Sequence, residues 1–137
     1  MKKLLLLLFL IPNLVTAESI QDYLDNNPKW SEETKEIIYL TTRCSGILQV
    51  VGQHRIVVGD QEYGPVLLEL GRDLGLRSGQ LALESGLSME NIKERMIYWM
   101  KRYADDSISN TDNYNNIFVG DFADDFTFCG TLVKAIN

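Results

Sequence analysis

Hydrophobic positions between residues 37 and 58 recur at alternating steps of three and four. This spacing places them on one face of an α-helix, and the pattern persists for longer than a single strand would. We expect Ser31 to cap this helix at its N-terminus and Gly59 to end it. The predicted stripe consists of Ile37, Leu40, Cys44, Ile47, Val51, His54 and Val58.

A second helical pattern begins at Pro65 and contains three glycines spaced four residues apart, Gly71, Gly75 and Gly79. Two interpretations are open. A continuous helix would align the glycines as a groove for a close neighbour, whereas a break at Gly75 or Gly79 would leave a separate piece at 80–84. Each interior glycine costs about 1 kcal/mol relative to alanine. We therefore favour the break.

A third helix is predicted after Gly86, which would cap the preceding helix, and Ser88, which would cap the new one. We expect it to end near Asp105, because residues 104–116 are dense in Asp, Asn and Ser and are typical of a long loop or a frayed helix end. Its predicted inward stripe is Met89, Ile92, Met96, Trp99 and Tyr103.

The last hydrophobic pattern runs from Phe122 through Phe126, Cys129 and Val133 to Ile136, again at steps of three and four. Nothing in the chain alternates convincingly with period two, as a half-buried strand would. The prediction is an all-α fold, a compact bundle of four main helices. The count becomes five or six if the second helix splits and the N-terminal arm at 18–30 is helical.

The first 17 residues are typical of a secretory signal peptide. Lys2 and Lys3 precede an apolar run at 4–11, and Val15 and Ala17 supply slim residues at the −3 and −1 positions of a cleavage site. An uncleaved membrane anchor is the alternative, but it would need about 20 apolar residues. We predict cleavage after Ala17 and a single domain at 18–137, exported to a bacterial periplasm or secreted.

The chain is acidic, with 19 Asp and Glu against 13 Lys and Arg and a net charge of −6. Loss of the two leader lysines would lower this charge to −8. Such a balance argues against nucleic acid, whose phosphates require basic neutralisation, and against an anionic membrane surface. It favours a soluble protein with no stable membrane insertion after cleavage.

Two cysteines, Cys44 and Cys129, each lie in the middle of a predicted inward stripe. Because the chain is predicted to reach an oxidising compartment, we expect them to form one disulfide between the first long helix and the last. The alternative is a reactive thiol beside Arg43. No Cys-x-x-Cys motif is present, and His54 lies about 15 Å along the helix from Cys44. The disulfide is favoured, with Arg43 as an exposed neighbour.

His54 is the only histidine, and it lacks a His or Cys companion at the spacing that zinc requires. With Asp60 or Glu62 as an orienting acid it could form a polar site for general base chemistry. A half-buried histidine with a structural role is the favoured interpretation. We expect no metal and no cofactor.

Residues 110–121 superficially match a calcium-binding loop, but Asn115 occupies the position where the sharp turn requires glycine. We favour an ordinary solvated loop. Asp121, Asp124 and Asp125 then stand at the start of the last helix, where negative charge is favourable. The residues at the potential ligand positions are Asn110, Asp112, Tyr114, Asn116 and Asp121.

A partner-contact patch is one interpretation of Tyr98, which points aside from the core stripe next to Lys101 and Arg102. Core packing with one exposed tyrosine is the commoner arrangement. Both interpretations stay open at this point.

No motif of nucleophilic, phosphate-binding or dinucleotide-binding type occurs. The leading hypothesis is a non-enzymatic protein that binds another protein in the cell envelope, of the inhibitor, immunity or accessory type. In its layout the chain is similar to small secreted helical proteins such as periplasmic immunity proteins. The alternatives are a small hydrolase using Asp60, Glu62, Asp121 or Asp125, and a small-ligand module with a cavity beneath Trp99.

Overall fold

The structure is a computed structural model that describes residues 18–137, so the predicted signal peptide at 1–17 lies outside the described residues. The described part of the chain is all-α, as predicted, and contains no strand. No helix within it is long and apolar enough to cross a lipid bilayer. Its elements are α1 (Ile20–Asn26), a 3-10 helix (Trp30–Glu32), α2 (Thr34–Val57), α3 (Tyr63–Glu84), α4 (Met89–Tyr114) and α5 (Gly120–Ile136).

Helix α2 lies at the centre of the fold. It packs against α3, α4 and α5, and α1 lies against α5. Every residue from 40 to 48 is buried, so this part of α2 is covered on all sides rather than along one stripe. The helix count in the described residues is five, and the fifth is the short N-terminal helix α1, within the predicted arm.

The disulfide between Cys44 and Cys129 is present and joins the middle of α2 to the middle of α5. The two Cα atoms lie 5.2 Å apart, and both side chains are fully buried. This confirms the predicted pairing and places the bond inside the main hydrophobic core.

Helix α3 is continuous, and the predicted break at Gly75 or Gly79 is wrong. The glycines face the neighbouring helices at very short range. A Cβ at Gly71 would lie 3.0 Å from the carbonyl oxygen of Ser45, and one at Gly75 would lie 2.9 Å from the Ser45 hydroxyl. The propensity cost of the glycines is thus offset by the close packing of α3 on α2, which larger residues would prevent.

Helix α4 extends far beyond the predicted end near Asp105, and residues 104–114 are helical rather than a loop. Polar side chains there bond to their own helix, as when the Thr111 hydroxyl donates to the carbonyl of Ser107 at 2.8 Å. Asn115 ends the helix in the left-handed conformation at φ 52°. The Asn110 side-chain amide donates to the carbonyl of Ile117 at 2.9 Å and holds the short connection to α5.

The helix caps predicted at Ser88 and Gly86 are present, whereas the cap predicted at Ser31 is not. Ser88 accepts a hydrogen bond from the backbone N–H of Asn91 and caps α4, as expected. Gly86 follows the end of α3 with a φ of 80°, a left-handed conformation that glycine adopts without strain. Ser31 does not cap α2, because it lies within the 3-10 helix, and Glu33 occupies the N-cap position instead.

Candidate functional site

Arg43 is buried, not exposed as predicted, with only 2% of its surface accessible. Its guanidinium group lies 2.7 Å from the Asp125 carboxylate in a salt bridge. It also donates to the hydroxyl groups of Tyr103 at 2.7 Å and Tyr39 at 3.1 Å. The prediction failed because it assumed a solvent-facing side for α2, whereas the surrounding helices cover this helix completely at Arg43.

Asp125 completes this buried polar network. One carboxylate oxygen accepts from the backbone N–H of Ile20 at 2.8 Å, and the other accepts from the Tyr103 hydroxyl at 2.7 Å and from Arg43. The network therefore connects α1, α2, α4 and α5 through the Arg43–Asp125 pair, whose charges cancel. Burial raises the pKa of Tyr103 above its usual value, although the positive charge of Arg43 opposes this shift.

A polar cleft of about 310 Å³ opens beside this network. Asp106 lies on its wall and is paired with Arg102 at 3.5 Å. Burial raises the pKa of Asp106, and Arg102 acts in the opposite direction. The aromatic rings of Trp99 and Phe122 line the same cleft. The cleft therefore contains both positively and negatively charged side chains, and part of its wall is aromatic.

A larger and more apolar groove, of about 840 Å³, is formed by α2, α3 and α4. We call it the α2–α4 groove. Three of its hydrophobic residues are strongly exposed: Val57 at 75%, Ile97 at 55% and Ile108 at 60%. The groove is lined by Gln49, Val50, Gln53, His54, Val57, Leu68, Arg72, Ile97, Met100, Lys101, Ala104, Ser107 and Ile108.

The shape of this groove follows from how the helices meet. Helix α4 crosses α2 closely at Gly46, where a Cβ would lie 2.7 Å from the Cβ of Trp99. Helix α3 stays close to α2 at Gly52, where a Cβ would lie 2.8 Å from the backbone nitrogen of Leu68. Beyond the Gly46 crossing, residues of all three helices line the open groove, which extends to Val57 and Ile108.

The charge of the α2–α4 groove contrasts with that of the chain. Its lining residues include two cationic side chains, Arg72 on α3 and Lys101 on α4, and no Asp or Glu. The whole chain nevertheless carries a net charge of −6. The groove is thus an apolar surface with a local excess of positive charge on an acidic protein.

The structure distributes the predicted patch residues over different surfaces of α4. Lys101 lines the α2–α4 groove, whereas Arg102 lines the polar cleft. Tyr98 is exposed, with its ring 5.0 Å from that of Trp99 in an edge-to-face arrangement.

The three residues of the predicted polar site, His54, Asp60 and Glu62, are also in different surroundings. His54 is half-buried and lines the groove. Asp60 accepts a hydrogen bond from the backbone N–H of Tyr63 at the start of α3 and lies 3.7 Å from Arg55. Glu62 is exposed at the residue before α3. The bonds of Asp60 are therefore those of a helix-capping residue.

Within residues 18–137, no group of three or more His, Cys, Asp or Glu side chains is arranged to hold a metal ion. Of the potential ligand positions at 110–121, Asn110, Tyr114 and Asp121 line the polar cleft, whereas Asp112 and Asn116 do not. Asn110 and Tyr114 lie four residues apart on one face of α4, whereas Asp112 between them points to another face.

The groove was missed at the sequence level, although α4 carries a signal for it. Ile97, Met100, Ala104 and Ile108 form a second stripe at steps of three and four beside the core stripe. When a helix has two apolar stripes, one stripe packs into the core of the protein and the other is available to contact a further element or partner. Comparison with protein-family models, curated proteins and solved structures finds no match, so function must be argued from this chain's own residues.

Proposed function

We propose that this protein is an exported, non-enzymatic binding protein that docks another protein in the α2–α4 groove. The observation that carries the proposal is the open apolar groove with three strongly exposed hydrophobic residues, Val57, Ile97 and Ile108. Contiguous exposed apolar surface on a small protein is typical of interaction sites, because leaving it in water is unfavourable.

The rigidity of the walls supports this proposal. Close contacts at Gly46 and Gly52 hold α4 and α3 against α2, and the disulfide ties α2 to α5. A groove that already has its bound shape loses little conformational entropy when a partner enters it. The same disulfide is compatible with an oxidising compartment and so supports export.

The arrangement of the carboxylates favours binding over hydrolysis. Asp125 already accepts three hydrogen bonds from the protein, and Asp60 caps α3. A general base needs a carboxylate oxygen free to approach the proton of a substrate. Two of the four acids considered for a hydrolase are therefore committed to holding the fold.

Site-directed photo-crosslinking in the producing cell tests the proposal. A photoreactive residue at position 97 or 108 would face the groove, and one at position 83 on α3 serves as the control. Leu83 is 56% exposed, similar to Ile97, but does not line the groove. We expect one shared crosslinked protein from positions 97 and 108 and none of it from position 83.

A charge in the groove provides the second arm of the test. Ile108→Glu should abolish crosslinking from position 97, because a carboxylate in the apolar groove opposes docking. A crosslinking pattern that is the same at all three positions, or no crosslink from the groove, would contradict the proposed function.

A further inference from the structure

We infer that the segment bound in the α2–α4 groove is an acidic amphipathic helix of about three turns. This inference rests on the proposed function and specifies the partner's chemistry. It is carried by the groove's dimensions, its apolar lining and its two cations, one from α3 and one from α4.

The groove has the length of a short helix. Along α4 its lining extends from Ile97 to Ile108, which corresponds to about 16 Å at a rise of 1.5 Å per residue. A partner helix of about 11 residues spans this distance. Helices bind such grooves through apolar residues at positions i, i+3 or i+4, and i+7. Here Val50 on α2, Leu68 on α3 and Met100 on α4 supply apolar contacts from three sides.

The charges of the lining specify the polar flanks of the bound helix. Arg72 projects from α3 and Lys101 from α4, so one cation lies on each wall of the groove. With no carboxylate among the lining residues, a helix with Asp or Glu beside its apolar stripe would meet opposite charge at both cations. A basic helix would meet like charge at the same two points.

The same charges argue against a second copy of this chain as the occupant. A symmetric dimer through the groove would bring the same surface of both copies together. Arg72 and Lys101 would then face a surface containing the partner's identical cations, with no lining carboxylate to neutralise them. A heterologous partner with acidic flanks avoids this repulsion.

Two stapled helical peptides of 12 residues test the inference. They share one apolar stripe and differ only in carrying Glu or Lys on both flanks. Fluorescence anisotropy with the oxidised protein recovered after export measures their binding. We expect the Glu peptide to bind about tenfold more tightly, and we expect this preference to shrink at high salt.

Charge-reversal variants assign the preference to the groove. Arg72→Glu combined with Lys101→Glu should reverse the order of the two peptides. Lys93→Glu combined with Arg95→Glu is the matched control, because it changes the net charge equally at exposed residues of α4 outside the groove. That control should keep the order of the wild-type protein, with a smaller advantage for the Glu peptide because the added negative charge acts through the long-range field.

Several outcomes would overturn the inference. The Lys peptide could bind equally well or better, neither peptide could bind, or the reversal variant could keep the wild-type order. Concentration-dependent dimers in sedimentation that vanish on Ile108→Glu would identify a second copy as the occupant instead. The peptide outcomes leave the proposed function intact if positions 97 and 108 still crosslink another protein, whereas a second copy in the groove would contradict it. Loss of groove crosslinks would refute the proposed function itself.

Discussion

Replacing Asp125 with alanine should be among the most destabilising single changes in this chain. The variant leaves the Arg43 guanidinium buried without its counter-charge, because the two side chains form a salt bridge at 2.7 Å in which each is 3% exposed. It also removes the acceptor of the Ile20 N–H and of the Tyr103 hydroxyl. Removing one partner of a buried ion pair typically costs about 3–5 kcal/mol.

This magnitude is a large share of the free energy of unfolding, which for a domain is about 5–15 kcal/mol. For a domain of this size it corresponds to a fall in Tm of about 12–20 °C. Urea unfolding of the oxidised protein, followed by circular dichroism, measures the difference directly. Asp106→Ala is the control, since the Arg102–Asp106 pair is partly exposed and should contribute about 0–1 kcal/mol.

A double variant separates burial of an unpaired charge from loss of packing. Arg43→Met with Asp125→Leu removes both charges, so it should be more stable than Asp125→Ala alone. The double variant should still be less stable than the wild-type protein, because the Ile20 N–H and the Tyr103 hydroxyl still lack their acceptor. A loss below about 1 kcal/mol for Asp125→Ala would refute the view that this network holds the four helices together.

Four further predictions concern the disulfide, two glycines and Tyr103. Reducing the disulfide, which spans 85 residues, should lower the free energy of unfolding by about 4–5 kcal/mol in paired urea titrations, and an unchanged midpoint would refute this. Gly46→Ala should destabilise by about 1–3 kcal/mol, because the new Cβ would lie 2.7 Å from that of Trp99. Gly130→Ala meets no neighbour within 4 Å and should stabilise by about 0.5–1 kcal/mol. Urea titrations of both glycine variants measure the difference, and equal effects would contradict the packing argument. Burial raises the pKa of Tyr103, so the unfolded chain loses this proton first and stability should fall as the pH rises above about 10. Tyr103→Phe should flatten this decline, and an unchanged pH dependence in that variant would refute the assignment to Tyr103.

The parts of the fold that follow from a single helix were predictable from the sequence. The spacing around Cys44 and Cys129 identified two inward-facing stripes, and the disulfide joins them as expected. The continuity of α3 was not predictable in this way. The penalty at Gly75 belongs to an isolated helix, whereas the compensating contact comes from Ser45 on another helix.

The buried network and the groove depend on how helices are arranged in space. Arg43 lies beside the predicted stripe of α2, and only the packing of α4 and α5 around it reveals that it is buried. Residues 104–114 have a loop-like composition, yet side-chain bonds to the helix backbone and the contact of Asn110 with the next segment sustain the helix. The length of α4 in turn creates the wall that ends at Ile108.

Covalent footprinting of the protein in its native compartment tests the central claim most directly. The labelling of Ile97, Met100 and Ile108 is compared with the labelling of the same residues in the purified protein. The account predicts protection of these groove residues in the native compartment and unchanged labelling at Leu76 and Leu83, which are exposed outside the groove. Equal labelling of the groove residues in both samples would contradict it.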